Sequence, residues 1–164
     1  MIYLVTGGLG FIGSNFVDFL VQKLKEDDEV YIIDDLSTGK LEYLNEDKRV
    51  RLIQSDISDF VSMNDIISNI EPNYIWHFAA LARIQPSFED PLLHEYVNVI
   101  GSINIIKAVI DNKIKTKIIY SSSSSVYGNG YPSTIESKID PINPYGLQKY
   151  AAEKYLLQLG ERYN

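Results

Sequence analysis

Short apolar runs recur along this 164-residue chain, and longer helical patterns separate them. The runs fall at residues 2–5, 30–33, 50–53, 74–78 and 117–120. Between them the spacing predicts helices over 11–25, 61–70, 92–111 and 143–162, with a short turn of helix at 41–44. In the first helix Phe16, Phe19, Leu20 and Leu24 recur every three or four residues, which puts them on one face. A strand that is apolar at nearly every position is covered on both sides, which is the mark of a parallel sheet. Strands alternating with helices then predict an α/β fold, a doubly wound parallel sheet with right-handed crossovers. The expected strand order is 3-2-1-4-5, in one domain spanning residues 1–164. Neither a sixth strand nor a second domain is expected within this length.

The first strand runs directly into Thr6-Gly-Gly-Leu-Gly-Phe-Ile-Gly13. Glycine lacks a Cβ, so such a turn can be tight and its N–H groups can come close to a phosphate. Two spacings coexist: Gly8, Gly10 and Gly13 read G-x-G-x-x-G, whereas Gly7, Gly10 and Gly13 read G-x-x-G-x-x-G. Either places a dinucleotide pyrophosphate at the N-terminus of the first helix. Twenty-one residues after Gly13 the second strand ends in Asp34-Asp35. Carboxylates there accept from both ribose hydroxyls and repel a 2′-phosphate, which favours NAD over NADP. The plainer reading is a pair of solvated acids at a strand end. Asp56, which ends the third strand, faces either the adenine amino group or a turn of its own. The fourth strand ends His77-Phe78-Ala79-Ala80, where small residues let a ring or ribose lie against the backbone. His77 stands in an apolar strand and reads as a buried structural histidine, while His94 is expected at the surface.

Composition narrows the alternatives. With 22 acidic against 15 basic residues the net charge is −7, and no Lys/Arg stripe suits a nucleic acid. The absence of cysteine removes disulfides, thiolate nucleophiles and zinc-thiolate sites, and no metal is expected. The opening apolar run is too short for a signal peptide, and no run approaches membrane-spanning length. The expectation is a cytoplasmic protein with no membrane partner.

Chemistry points to the C-terminal third. The fifth strand ends in five serines, Ser121 to Ser125, and the last helix opens Asn143-Pro-Tyr-Gly-Leu-Gln-Lys149. Tyr145 and Lys149, four residues apart, share a helix face. A phenol is a weak base at neutral pH, with a reference pKa near ~10, and a nearby ammonium stabilises its phenolate. Serine hydroxyls at the adjacent strand end can bond the same substrate oxygen, and Lys149 can also hold ribose hydroxyls. Such a site takes a proton from a carbinol while a hydride leaves to NAD. Tyr150 and Lys154 repeat the Y-x-x-x-K spacing, but five residues turn a helix by about 500°, so only one pair can face the site. Pro144 marks the helix start, which selects Tyr145.

Taken together, these motifs resemble the extended short-chain dehydrogenase/reductases, and among them the nucleotide-sugar epimerases. The resemblance rests on the glycine loop, Asp34-Asp35-Leu-Ser-Thr-Gly39, Asp56, His77-Phe-Ala-Ala80, Asn98, the serine run through Gly128, and Pro144-Tyr-Gly-x-x-Lys149. It implies the Gly7, Gly10, Gly13 reading, with Phe11 and Ile12 offering N–H groups to the pyrophosphate. It also implies Asp34 and Asp35 at the ribose, Asp56 and Ile57 at the adenine, and Asn98 ordering the active-site backbone. Phe78, Ala79, Ala80 and Ser121 complete the expected cofactor contacts. Counting back from Val126-Tyr-Gly128 puts the catalytic hydroxyl on Ser123, with an ambiguity of one residue. The implied reaction is transient oxidation at C4′ of a nucleotide sugar, most simply a UDP-sugar, by bound NAD. Sugar 4,6-dehydratases of this kind carry Thr-Asp-Glu or a close variant where this chain has Ser123-Ser124-Ser125. Some epimerases place a lysine where this chain reads Ala82-Arg83. Family members continue into a smaller substrate domain, so the alternatives are an NAD-binding fragment without turnover, or another dehydratase or reductase of the family. A homodimer through the helices at 92–111 and 143–162 is also expected, with Ile103, Ile106, Ala151, Leu156 and Leu159 as candidate contacts or ordinary core.

Overall fold

A computed structural model describes residues 1–129 and 133–163, so Asn164, the last residue of the expected domain, lies outside it. Five strands, β1 (Ile2–Thr6), β2 (Glu29–Asp34), β3 (Val50–Gln54), β4 (Tyr74–His77) and β5 (Lys117–Tyr120), form one sheet. Every pairing is parallel and the order is β3-β2-β1-β4-β5, as the alternation predicts. Consecutive residues of the inner strands feed opposite layers of core. Leu4 and Ile33 join Ile75, Met63, Ile67 and Ile105, against α2 (Phe60–Ile70) and α5 (Gly101–Asp111). Val5 and Ile32 join Leu9, Val17 and Leu20, against α1 (Phe11–Val21). Each such side chain contributes roughly 1.5–3 kcal/mol when fully buried, so both faces must be covered.

Several elements differ from the sequence reading. Helix α1 stops at Val21 rather than Lys25, because Lys23 N–H turns back to the Leu20 carbonyl. The Asp28 carboxylate then fixes the exit by accepting from Lys25 N–H and the Met1 ammonium. A helix not foreseen, α3 (Ile84–Glu89), precedes α4 (Pro91–Glu95), and a 3-10 turn spans Ser124–Tyr127. The expected long helix at 92–111 is α4, a π-helical segment (Tyr96–Ile100) and α5 in continuous succession. Gly101 N–H reaches the Tyr96 carbonyl, five residues back. The last helix, α6 (Pro144–Tyr163), starts at proline as expected, with Asn143 Oδ1 accepting Gly146 N–H at 2.8 Å. His94 is buried, against the surface position expected, because α4 packs against both α3 and α6. Among the described residues no helix is long and apolar enough to cross a membrane, and no cluster of side chains suits a metal ion.

Candidate functional site

The glycine turn leads from β1 into α1 at the centre of the sheet. Gly7 adopts φ +67°, and a Cβ on it would lie 2.6 Å from Ala79 N. A Cβ on Gly13 would lie 2.1 Å from the Gly7 carbonyl oxygen, so α1 can seat on the turn only with glycine there. Gly8 instead packs against Ile32. Gly10 precedes α1 with no side-chain cap, and no acid stands in the first turn. The amides of Phe11, Ile12 and Gly13 therefore have no intrahelical acceptor, while the side chains of Phe11 and Ile12 are exposed. An anion is the natural partner for such a terminus.

A cleft of about 510 Å³ opens beside this turn, along the C-terminal ends of β1 to β4. Gly7, Gly10, Asp34, Asp35, Asp56, Ile57, Phe78, Ala79 and Ala80 all line it, which gathers nine of the residues expected from sequence. Ile33, Ser37, Thr38, Ser55, Leu81 and Val97 line it as well and were missed. For Ser37 and Thr38 a signal existed, since they follow Asp35 in the same Ser-Thr-Gly turn. Asp34 is buried, with its two oxygens accepting from Leu9 N–H and Leu36 N–H at 2.9 Å each. Asp35 is exposed and accepts from Ser37, both backbone and hydroxyl. Asp56 is exposed and accepts Ser58 N–H, so its turn role is realised, and Asp59 caps α2 instead. Phe11, Ile12, Gly13, Asn98, Ser121, Tyr145 and Lys149 do not line this cleft.

The remaining site residues lie at the β5 end. Lys149 is buried on α6, with Nζ 4.2 Å from the centroid of the Tyr120 ring. Among the described residues Lys149 has no ion pair. Burial without a counter-charge lowers its ammonium to about 8. Burial, and next the adjacent Tyr145, hold the Tyr120 phenol well above its ordinary value, which keeps it protonated. Tyr145 is half-buried and donates its N–H to Ser87 Oγ at 3.1 Å. Ser87, on the unforeseen α3, in turn donates to the Ile84 carbonyl. The rival pair points elsewhere, with Lys154 exposed and its Nζ over the Tyr150 ring.

The serines divide by partner. Ser121 N–H continues the ladder to the His77 carbonyl, and Ser122 Oγ donates to Glu153 at 2.8 Å. Ser123 Oγ accepts Ser125 N–H at the start of the 3-10 turn, while Ser124 is exposed. Gly146 fits closely under this turn, since a Cβ there would lie 2.5 Å from the Ser125 carbonyl oxygen. Asn98, in the π segment, accepts Leu81 N–H at 2.8 Å and donates to the Leu81 carbonyl and to Gln148 Oε1. Gln148 also donates to the Pro91 carbonyl. These bonds join the backbone after β4 to the helix that bears Lys149.

A central glycine turn, an acid at the end of the neighbouring strand and a cleft across the strand ends define a Rossmann-type α/β domain. The chain belongs to the family described as GDP-mannose 4,6 dehydratase, whose model matches residues 4–164. It is 35% identical over 155 residues to a putative UDP-glucose 4-epimerase of Methanocaldococcus jannaschii, covering 93% of this chain and 49% of that protein. The fold superposes on the UDP-glucose 4-epimerase of Thermotoga maritima, solved with UDP-glucose, with a TM-score of 0.90 and 36% identity. That match covers 99% of this chain and 52% of the other. A UDP-glucose 4-epimerase of Thermus thermophilus, solved with NAD, gives 0.89 and 33% over 99% and 52% of the two chains. The chain spans about half the length of the curated relatives it matches.

Proposed function

We propose that this chain is the cofactor-holding and catalytic part of an NAD-dependent nucleotide-sugar 4-epimerase of the UDP-glucose/UDP-galactose type. The observation that carries the reading is the buried Lys149, beside Tyr145 on a helix joined through Asn98 to the cleft wall. The cleft suits NAD: the glycine turn leaves no room for a Cβ, and the first-turn amides of α1 await an anion. Phe11, Ile12 and Gly13 would take the pyrophosphate, Asp34 and Asp35 the adenosine ribose, and Asp56 and Ile57 the adenine. Phe78, Ala79, Ala80 and Ser121 would border the nicotinamide half.

When bound, NAD would supply reversible hydride acceptance at C4′ of the sugar. Tyr145 would take the 4′-hydroxyl proton and give it back, with no net oxidation. Lys149 would hold positive charge beside the phenolate and bond ribose hydroxyls. Ser123 would donate to the same sugar oxygen. The polar, uncharged Ser123-Ser124-Ser125 offers neither acid nor base for dehydration, which favours epimerisation. The same chain is read as cytoplasmic. It is also read as a homodimer, through the helical face where Leu92, Tyr96 and Leu147 are exposed. Ile106 and Leu156, considered for that contact from sequence, are buried.

A second reading, NAD binding without turnover, is favoured by the half-length match to the relatives, since positioning energy supplied from outside these 164 residues is not available to them alone. Interconversion of UDP-galactose and UDP-glucose, assayed on this chain with NADH binding in parallel, separates the two. Turnover supports the first reading and binding alone the second. Absence of both overturns the site.

A further inference from the structure

His77 is fully buried at the end of β4, and the reaction above gives it no task. Its contacts nevertheless fix where its proton sits. Ser102 Oγ lies 2.7 Å from the Asn98 carbonyl oxygen. A carbonyl cannot donate, so the single hydroxyl hydrogen of Ser102 goes there. At the 2.9 Å contact between His77 Nε2 and Ser102 Oγ, the hydrogen then belongs to Nε2, and the Tyr120 phenol, which also bonds Ser102, comes to it as a donor. On the other side, Ala79 N–H donates to Thr6 Oγ1 at 3.3 Å, and Thr6 Oγ1 lies 2.6 Å from His77 Nδ1. A neutral imidazole with its proton on Nε2 has a bare Nδ1, so Thr6 donates to it. A doubly protonated ring would also fit these distances. Burial, and then the Lys149 ammonium, depress His77 to about 3 and remove that form at neutral pH.

We infer that His77 is a positioning residue: a neutral, Nε2-protonated imidazole that ties the cleft backbone at Ala79 to the π segment at Asn98. The chain of donors runs in one direction, from Ala79 N–H through Thr6 to His77, and from His77 through Ser102 to the Asn98 carbonyl. The Asn98 side chain separately reaches Leu81 and Gln148, so the ring is a second tie, beside that amide, between the cleft wall and the segment that meets the Lys149 helix. That this wall holds a dinucleotide rests on the function proposed above; the direction of the hydrogen bonds does not.

The test has two arms. Long-range proton–nitrogen spectra of the 15N-labelled 164-residue chain read the ring nitrogens directly, and only His94 must be told apart. We expect Nε2–H with bare Nδ1 at neutral pH; an Nδ1–H tautomer or a charged ring overturns the wiring. In the second arm, NADH affinity is measured for Thr6→Val, Ser102→Ala and the double variant. If one ring relays both ends, Thr6→Val weakens binding about tenfold, and the double variant loses clearly less than the product of the singles. Thr6→Ser, which keeps the hydroxyl, restores affinity. Independent, multiplicative losses overturn the relay. If the unaltered chain binds no NADH, the dinucleotide reading falls, and the ring spectrum still decides the wiring.

Discussion

Lys149 and His77 sit close together, and both are held away from charge by burial. Their effects on stability therefore run in the same direction with pH. Lys149 titrates near 8 when folded and near its ordinary 10.5 when unfolded, so the unfolded chain binds more protons between those values. Stability should rise as pH climbs through that window. Replacing the side chain by a neutral one of similar length, Lys149→Met, should raise the unfolding free energy read from urea titration at pH 7 by about 1–3 kcal/mol, an advantage that fades as pH rises from about 8 toward 10.5. A variant less stable than the parent at pH 7 would show that the ammonium is compensated in the fold. His77, near 3 when folded and 6.5 when unfolded, makes stability fall as pH drops from about 6.5 toward 3. The full span is worth on the order of 5 kcal/mol. Acid titrations of unfolding should therefore be steep, and flatter in His77→Gln. At this scale the sequence was partly legible. The two Y-x-x-x-K pairs are indistinguishable by spacing, and the helix start at Pro144 separated them. His94 was misread because an ionisable side chain in a helix was taken for a surface one, whereas α3 and α6 cover it in space.

Among the elements, the turn between β1 and α1 tolerates least. Gly13→Ala puts a methyl within 2.1 Å of a backbone oxygen that cannot move aside, and should lower the melting temperature and abolish NADH binding together. Gly160→Ala on α6 meets nothing within 4 Å, and should stabilise by up to about 0.5–1 kcal/mol with NADH affinity unchanged. Thermal melts and NADH titrations of the pair check both outcomes; a silent Gly13→Ala would refute the close seating of α1. The strands were readable because buried parallel strands are apolar at almost every position. Helix α3 was not, since Ile84-Gln-Pro-Ser-Phe-Glu89 is too short for a period and holds an internal proline. Nor was the π segment, which differs from an α-helix by hydrogen bonding alone and leaves no mark in residue type. Both omissions matter at the site, because Ser87 and Asn98 come from them.

Among the described residues two unlike openings stand out. Against the cleft of about 510 Å³ stands a groove of about 2030 Å³ along the outer edge of β5, between α5 and α6. Ile110, Ile114, Ile118, Leu156 and Leu157 line it, with Lys113, Lys115 and Lys117 near one end. A sheet edge flanked by apolar side chains is adhesive. Beyond the helical dimer face proposed above, this edge should drive a further, concentration-dependent association of the 164-residue chain, and Leu157→Glu, at a half-exposed position, should remove that step without altering NADH affinity. A parent that shows no such further association at high concentration would sink that expectation. The strand order carries a further consequence, for how the chain finds its shape. β1 occupies the middle of the sheet yet is made before both of its neighbours. Its pairing Tyr3↔Tyr74 cannot form until more than seventy residues have followed it. On one side β1 can pair early with the nearby β2, but its other edge stays open until β4 has been made. Closing the centre of the sheet therefore waits on a distant partner, and refolding should be slow for a chain of this size.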